Sequence, residues 1–456
     1  MLRFAPSPTG DMHTGNLRAA IFNYLMAQKL QQPFIIRIED TDLDRNIEGK
    51  DKRILWLLDN FHIKYDDVIY QSNNFPLHRE LAHRLLKEDK AFYCYCSKEF
   101  LENKREEAKR NKVAFRYDDT WAQLEKGNKT ASPIIRLRAS KNVSFYDSIR
   151  GDLHFNANEI DSFVIMRNDI PTYNFACSVD DRDMSYIIRG EDHISNTPKQ
   201  ILIRQALGFY TNIRYAHLPL ILNEENKKMS KRDKASSVEW LLSEGLEPNA
   251  IANYLILLGN GKLETQVGEL FGYEECLSYF DVEYISSNAA RFDYKKLLQI
   301  NRDMLRKSLQ NITYRRGFYP KLQEAIDKQL EFYSKRNRIL INQDFDEIIL
   351  LYANEISSAH ELISKFCSIF KPISAKKENL HGFEIEFDSI ISVFKQKSSF
   401  DNYEDMKNYI SAETKLKGKA LFKPLRMILS GVEHGVELDK LYQPIKQHIP
   451  LILAIT

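Results

Sequence analysis

The first forty residues are arranged as strand, loop, helix and strand, and this order restricts the fold more than any other feature of the sequence. Residues 2–5 are largely apolar, apolar side chains recur at helical spacing between Asn16 and Leu25, and a second apolar run, FIIRIED, begins at Phe34. This order predicts a βαβ unit with a parallel pair of strands. Ligands in open α/β sheets bind beside loops that leave the carboxyl ends of such strands. The loop FAPSPTGDMHTGN is therefore the first candidate binding segment.

Length and composition describe a folded chain with more than one domain. At 456 residues the chain exceeds the usual size of a single core, so roughly two to four domains are expected. The 65 basic and 63 acidic residues nearly cancel, so any nucleic-acid surface must be a local patch. Five scattered cysteines are typical of a reducing compartment. With neither a signal segment nor an apolar run of about 18 residues, we expect a cytoplasmic protein without a membrane partner.

The character of the sequence changes along the chain, which indicates several domains. A charged helical pattern, KEFLENKREEAKRNK, and the short strand-like pieces PIIRLRA and VSFYD suggest an insertion. The apolar pieces DSFVIM, SYIIRG and AHLPLIL then fit the second half of a doubly wound sheet, and helical periods dominate from Ser236 onward. We expect an α/β fold with a Rossmann-like, doubly wound parallel sheet in two halves, an inserted α/β domain and two helical domains. The predicted boundaries are 1–75 with 162–235, 76–161, 236–305 and 306–456.

The segment TGDMHTGN at the first strand-to-helix turn has the residue types of a phosphate-binding loop. A helix N-terminus presents unpaired N–H groups that suit phosphate. The glycines of this segment, Gly10 and Gly15, let the backbone approach a ligand closely. His13 and Asn16 would add side-chain donors. A simpler explanation is a tight turn in which Asn16 is only the helix N-cap.

The segment NKKMSKRDKASS, residues 226–237, is a second candidate for nucleotide binding. Five cations surround Met229 and Ser230: Lys227, Lys228, Lys231, Arg232 and Lys234. A mobile cationic loop of this kind can close over a triphosphate and stabilise the charge that develops on leaving pyrophosphate. The alternative is an ordinary solvated basic loop.

These two loops resemble the signature motifs of class I aminoacyl-tRNA synthetases, HIGH and KMSKS. HTGN begins at His13, and KMSKR begins 215 residues later at Lys228. Other segments narrow the resemblance to the bacterial-type glutamyl-tRNA synthetase family: RFAPSPTG, RIEDTD, PTYNFA, IIRGEDHISNTPKQ, AHLPLIL, PNAIANYLILLGN, ARFDYKKLLQIN and LKGKALFKPLRMILSGVEHGVEL. The resemblance covers essentially the whole chain, in order.

The resemblance implies a glutamate–tRNA ligase with the class I synthetase fold. Such an enzyme activates L-glutamate with ATP, accompanied by Mg2+, and transfers it from glutamyl-adenylate to the terminal adenosine of a tRNA. It further implies that activation requires bound tRNA. Region 76–161 would bind the acceptor end, 236–305 would contact the stem, and 306–456 would bind the anticodon.

The resemblance also assigns residues to the two small substrates. Around glutamate it places Arg3, Ala5, Ser7, Glu39, Tyr173 and Arg189. Around ATP it places Thr9, Gly10, His13, Gly15, Asn16, Glu191, Lys228, Ser230, Lys231 and Arg232, of which His13, Asn16, Lys228 and Lys231 would act in catalysis. The guanidinium forks of Arg3 and Arg189, with the Tyr173 hydroxyl, suit a carboxylate. Glu39 and Ser7 would hold the α-ammonium group.

Outside the matching motifs, two of these residues would have simpler explanations. Glu39 would be an acidic residue in a turn after a strand. Arg189 would form a surface ion pair with Glu191 or Asp192.

Several positions depart from the family pattern. Asn16 stands where the first motif usually ends in histidine, and Thr14 replaces a branched aliphatic residue. Cys177 stands where many relatives carry asparagine, and segment 181–189 is about two residues shorter than usual, which bears on how Arg189 is presented. These departures indicate a diverged copy and favour the charging of tRNA(Gln).

The CYC segment at 94–96 begins a zinc site in some relatives, but its other ligands are poor. Neither histidine nor cysteine occurs between Ser97 and Leu153, and RYDD at 116–119 stands where a tyrosine and a cysteine would follow. Structural zinc requires four good nitrogen or sulfur ligands. We therefore expect no metal site and two buried thiols instead.

Three other functions differ from this prediction. A shortened paralogue that glutamylates a tRNA base would match only the catalytic part, and a glutaminyl-tRNA synthetase would carry a β-barrel anticodon domain and lack the FAPSPTG opening. A non-catalytic tRNA-binding protein would be expected to have lost Lys231, Glu39 or Arg3, and all three are present. The expected partners are tRNA(Glu), tRNA(Gln) or both, with a monomeric enzyme that associates transiently with an amidotransferase.

Overall fold

A computed structural model describes residues 1–42, 45–126, 133–139, 141–230, 232–333 and 339–455. The chain divides into two compact units, Met1–Trp240 with Ala252–Asp293, and Leu241–Ile251 with Tyr294–Thr456. Lys231, a predicted catalytic residue, lies outside the described residues. No described helix is long and apolar enough to cross a membrane.

Within the described residues of the first unit, thirteen short strands form four sheets. The strands are β1 (Leu2–Phe4), β2 (Phe34–Ile38), β3 (Asp67–Tyr70), β4 (Ala91–Cys94), β5 (Ile134–Leu137), β6 (Val143–Asp147), β7 (Gly151–Phe155), β8 (Phe163–Arg167), β9 (Ile170–Pro171), β10 (Tyr186–Gly190), β11 (Arg214–Leu218), β12 (Ile221–Leu222) and β13 (Ala290–Arg291). The sheet orders are β1-β2-β3, β10-β11-β6-β7, β4-β5-β8-β9 and β12-β13.

The helices up to residue 277 follow in chain order. They are α1 (Thr14–Leu30), α2 (Lys50–Asn60), α3 (Phe75–Lys87), α4 (Lys98–Arg110), α5 (Tyr173–Asp180), α6 (Thr197–Leu207), α7 (Val238–Ser243), α8 (Pro248–Leu257), α9 (Gly261–Val267) and α10 (Tyr273–Leu277).

The predicted βαβ opening is confirmed. β1 and β2 pair in parallel with Leu2 opposite Phe34, and α1 connects them. The helix begins at Thr14, and its N-cap is His13, whose ring accepts a hydrogen bond from the Asn16 backbone N–H. The simpler explanation of Asn16 as the N-cap is therefore wrong, because Asn16 already lies inside the first turn.

Strands on both sides of the predicted boundary at residue 161 pair differently from the sequence-based expectation. β8, which contains most of DSFVIM, was expected in the parallel sheet but pairs antiparallel with β5. The hairpin β6–β7 instead joins the sheet of β10 and β11, where Asp147 lies opposite Tyr215. Short apolar strands carry no signal for their partner, since alternation fixes only which face is buried.

The second unit is helical over its described residues, as predicted. Its helices are α11 (Tyr294–Gln310), α12 (Ile312–Arg316), α13 (Tyr319–Tyr333), α14 (Asp346–Tyr352), α15 (Ala359–Ile369), α16 (Ile373–Glu378), α17 (Glu384–Gln396), α18 (Tyr403–Thr414), α19 (Lys419–Ser430), α20 (Leu438–Ile445) and α21 (Ile449–Ala454). They enclose one apolar core that contains Phe345, Phe366 and Phe370.

Two helix ends meet inside this core. Gly431 ends α19 in the left-handed region, with φ of 72°, and a methyl group there would overlap the Ser368 carbonyl oxygen. The side-chain nitrogen Nζ of buried Lys376 donates to the carbonyls of Ile369 at 2.6 Å and Ile428 at 2.7 Å. Both features tie the C-terminal ends of α15 and α19 together.

Candidate active site

Three adjoining cavities open beside the carboxyl ends of β1, β2 and β10. The central cavity, of about 320 Å³, is lined by the loop after β1, by Glu39 after β2 and by Arg189 near the end of β10. A second cavity, of about 480 Å³, shares Ser7 and Tyr173 with it. A third, of about 310 Å³, shares His13. Parallel strands thus deliver a set of polar side chains to one edge, as ligand sites in α/β sheets require.

The structure brings most of the predicted residues together. The central cavity is lined by all six residues predicted for glutamate, namely Arg3, Ala5, Ser7, Glu39, Tyr173 and Arg189, and also by Thr9, Gly10, His13 and Asn16. The third cavity adds Gly15, Lys228 and Ser230. Glu191 and Arg232 are absent from the described linings of all three cavities. Glu191 instead pairs with Arg150 and accepts the Leu220 N–H at 3.1 Å.

Arg189 is buried, with 7% of its surface exposed, so the alternative of a surface ion pair is wrong. Its Nε donates to His217 Nε2 at 3.3 Å, and Nη2 donates to Thr197 Oγ1 at 2.7 Å. Its Nη1 is buried and has no hydrogen-bond partner among the described residues. A buried donor without a partner is costly, so this nitrogen favours an anionic or carbonyl ligand in the central cavity.

A buried network of charges, which the sequence analysis missed, lies behind the cavity. Asp181 Oδ1 accepts from Arg3 Nε at 3.0 Å and from Arg37 Nη1 at 2.5 Å. Arg37 Nη2 also donates to Glu39 Oε1 at 3.0 Å, and the Cys177 thiol donates to the same oxygen at 3.1 Å. Burial alone would raise the pKa of Asp181, but the two guanidinium groups outweigh it and hold that pKa well below its usual range. The network fixes Glu39 at the cavity wall.

Tyr173 and His193, both half-buried, form a second contact at the cavity wall. The Tyr173 hydroxyl lies 3.0 Å from His193 Nδ1. Burial raises the pKa of Tyr173 well above its usual value, which keeps the hydroxyl protonated. Burial also lowers the pKa of His193, which favours the neutral imidazole. His193 lines both the central and the third cavity, and it belongs to the segment IIRGEDHISNTPKQ that resembles the family.

The third cavity lies between the start of α1 and the cationic loop. Gly15 packs against the His13 ring, where an added methyl group would lie only 3.0 Å from Nδ1. The cationic loop is held by Asp233, which accepts from the Ser230 N–H at 2.8 Å and its hydroxyl at 3.0 Å. The helix N-terminus and Lys228 therefore line one cavity, an arrangement suited to phosphate.

Cys94 and Cys96 lie in a small apolar cluster with Tyr117. The Tyr117 hydroxyl donates to Cys94 Sγ at 3.0 Å, and the Cys96 thiol donates to the Trp121 carbonyl at 3.2 Å. Among the described residues, no group of three or more His, Cys, Asp or Glu side chains could hold a metal ion. Cys94 is buried and Cys96 is half-buried.

Comparison with known proteins identifies the family. The model for the catalytic domain of class I tRNA synthetases (E and Q) matches residues 1–299. The chain is 47% identical over 449 residues to "Glutamate--tRNA ligase 2" of Wolinella succinogenes, with 97% of this chain and 96% of the relative covered. It is 46% identical over 467 residues to the "GlutamylGlutaminyl-tRNA synthetase" of Helicobacter pylori strain 26695, with 100% of both chains covered.

A solved structure confirms the fold. The glutamate tRNA ligase of Elizabethkingia meningosepticum, solved in complex with its amino acid, superposes with a TM-score of 0.78 at 22% identity. The superposition covers 100% of this chain and 99% of that one. Together with the full-length sequence matches, this similarity shows that the chain belongs to the glutamyl-tRNA synthetase family of class I aminoacyl-tRNA synthetases.

Proposed function

We propose that this chain is a glutamate–tRNA ligase, which activates L-glutamate with ATP and transfers it to the terminal adenosine of a tRNA. The observation that carries this proposal is that Arg189 lines the central cavity and that its buried Nη1 has no hydrogen-bond partner among the described residues. The names of relatives at 46–48% identity support the same activity.

The residues of the central cavity suit glutamate. Arg189 binds the side-chain carboxylate, assisted by Arg3 and the protonated Tyr173 hydroxyl, because guanidinium groups match two carboxylate oxygens. Glu39 and Ser7 hold the α-ammonium group. Neutral glutamine would leave the buried charge of Arg189 unmatched, at a cost of about 1–3 kcal/mol or more.

The third cavity binds ATP. The start of α1, His13, Asn16, Lys228 and Ser230 surround the phosphates, and Mg2+ enters with the nucleotide as part of the substrate. A glutamate α-carboxylate oxygen attacks the α-phosphorus, forms a P–O bond and displaces pyrophosphate. A ribose hydroxyl of the tRNA then attacks the carbonyl carbon and AMP leaves. The side chains position these groups and stabilise developing charge.

The remaining predicted residues keep the roles that the family resemblance implies. Thr9, Gly10 and Gly15 are assigned to ATP, with Gly15 letting the backbone approach the phosphates, and Ala5 is assigned to glutamate. Lys231 remains a predicted catalytic lysine, and the roles predicted for Glu191 and Arg232 stay predictions. Four functional regions, divided as in the sequence analysis, remain the proposed domain organisation.

We further propose that tRNA(Gln) is a substrate. Asn16, Cys177 and the short 181–189 segment depart from the common family pattern, and one full-length relative is named for both glutamyl and glutaminyl activity. A product of this kind, glutamate on tRNA(Gln), needs later amidation, so an amidotransferase is the expected transient partner. We expect the enzyme to be a cytoplasmic monomer.

Charging assays with radiolabelled glutamate, using purified tRNA(Glu) and tRNA(Gln) separately, test the proposal. We expect tRNA(Gln) to be charged, and exclusive use of tRNA(Glu) would overturn the specificity. Failure to charge either tRNA would overturn the activity itself.

Two variants test the proposed role of Arg189 in binding glutamate. Arg189→Ala should raise the glutamate KM by about 10- to 100-fold, the value of a lost charged hydrogen bond, and leave the ATP KM nearly unchanged. Arg182→Ala is the control, since this arginine is half exposed and pairs with the neighbouring Asp183 on the surface. An unchanged glutamate KM in Arg189→Ala would contradict the assignment.

A further inference from the structure

Arg189 is oriented by side chains from two other elements. Its Nε faces His217 on β11, and its Nη2 faces Thr197 at the start of α6. Thr197 Oγ1 also lies 3.0 Å from His217 Nε2. These two contacts leave Nη1 as the guanidinium nitrogen without a hydrogen-bond partner in the described part of the chain. The direction of Nη1 therefore depends on where the His217 ring sits and which of its nitrogens carries the proton.

The partners of His217 dictate one tautomer. Nδ1 lies 2.6 Å from an oxygen of Asp147, and a carboxylate can only accept, so Nδ1 carries the proton. Nε2 faces the N–H of Arg189, so Nε2 must be the acceptor. Both side chains are fully buried, and burial lowers the pKa of His217, which favours this neutral form. A proton on Nε2 would point at the N–H of Arg189.

Asp147 cannot be replaced by a neutral amide without changing this arrangement. One carboxylate oxygen accepts from the Ile149 and Arg150 N–H groups at 3.0 and 2.9 Å. The other accepts from the His217 N–H at 3.0 Å and from its ring. All four described partners are donors. An asparagine there must turn its NH2 group toward one pair, and turning it toward His217 removes the acceptor that holds Nδ1–H.

We propose that Asp147 is a positioning residue that fixes, through the His217 tautomer, the direction of Arg189 toward the glutamate side chain. Asp147 ends β6, so the hairpin β6–β7 contributes to amino-acid selection although it lies in the region expected to bind the tRNA acceptor end. This inference rests on the proposed function. No sequence motif assigned this hairpin to the glutamate site.

Asp147→Asn is the test variant, and Asp152→Asn is its control. Asp152 lies on β7 of the same hairpin, one register position away, and is exposed. In tRNA-charging assays, Asp147→Asn should raise the glutamate KM about tenfold or more, while the ATP KM stays within about twofold. Asp152→Asn should leave both unchanged. An equal rise in both KM values for Asp147→Asn would mean a general structural defect and would overturn the proposal.

A double-mutant cycle with Arg189→Ala distinguishes an effect of Asp147 that acts through Arg189 from a general structural defect. If Asp147 acts through Arg189, adding Asp147→Asn to Arg189→Ala should change the glutamate KM by less than about twofold. Full additivity of the two effects would overturn the proposal. Wild-type enzyme that charges neither tRNA would instead overturn the proposed function, so the two failures are distinguishable. A second variant, His217→Gln, retains an acceptor for Arg189 and should lose less glutamate affinity than His217→Leu.

Discussion

Replacing Asp181 with asparagine should remove about 3–5 kcal/mol from the free energy of unfolding of the first unit, because it leaves two buried guanidinium groups with one carboxylate fewer. Asp181 is only 2% exposed and lies between Arg3 and Arg37. An asparagine at this position keeps one acceptor but turns an NH2 group toward one of the arginines. Glu39 then remains as the single carboxylate bonded to Arg37 within the described network.

Native-state hydrogen exchange with mass spectrometry reports this loss for the first unit alone. Amides of β1 and β2 that exchange by global opening should exchange at least about 100-fold faster in Asp181→Asn at pH 7. Asp183→Asn is the matched control, since Asp183 is 66% exposed and pairs with Arg182 at the surface. Surface pairs contribute about 0–1 kcal/mol, so its exchange should change by less than about fivefold. Equal acceleration in both variants would refute the reasoning.

The stability difference has a defined pH dependence. The folded-state pKa of Asp181 is lowered, so its stabilisation is fully present above the ordinary pKa of about 3.9 and is lost as the pH falls through the folded value. The difference in melting temperature between wild type and Asp181→Asn should therefore stay constant from about pH 7.5 to about 4 and narrow as the pH falls below about 4. A difference that widens with falling pH would contradict the assignment of Asp181 as the buried anion.

Three other predictions concern the helix junction and the nucleotide loop. Gly431→Ala should lower the free energy of unfolding of the second unit by at least about 3 kcal/mol, because the added methyl group meets the Ser368 carbonyl. Gly382→Ala, which has open space around it, should lower it by about 1–2 kcal/mol. Chemical denaturation measures both values. Burial lowers the pKa of Lys376 to about 7, so between about pH 7 and 10 the unfolded chain binds more protons than the folded chain. The free energy of unfolding should therefore rise with pH in this range. Urea unfolding at pH 7 and 9.5 should show this gain in wild type but not in Lys376→Met. Asn16→His should lower the ATP KM by about fivefold, which corresponds to the free energy of one added hydrogen bond, and should leave the glutamate KM unchanged. An unchanged ATP KM would count against a role of Asn16 at the phosphates.

The elements were largely predictable from the sequence because apolar periodicity is a local property. β1, α1 and β2 lie where the opening pattern placed them, and the helical C-terminal part follows the same rule. The partners of the short strands were not predictable, since β6 and β8 are both five-residue strands but join different sheets. Pairing depends on contacts distant in sequence, which a single strand does not encode.

Site residues that belong to a sequence motif were predictable. The buried polar residues that contact them from distant parts of the chain were not. Arg3, Glu39 and Arg189 lie in recognisable segments, and all three line the central cavity. Asp181 contacts Arg3 from 178 positions away, and Asp147 contacts His217 from 70 positions away. In the sequence these aspartates look like ordinary surface or turn residues. Only folding brings their charges next to their partners.

The pairing of β6–β7 with β11 limits how this enzyme can be recombined with its relatives. An exchange of the whole segment 76–161 would carry a foreign hairpin into the sheet that presents Arg189, and with it a foreign partner for His217. A crossover placed just before Val143 would keep the hairpin with its own sheet and transfer the preceding segment alone. Chimeras built at these two junctions should therefore differ in amino-acid selection even when both fold and bind tRNA.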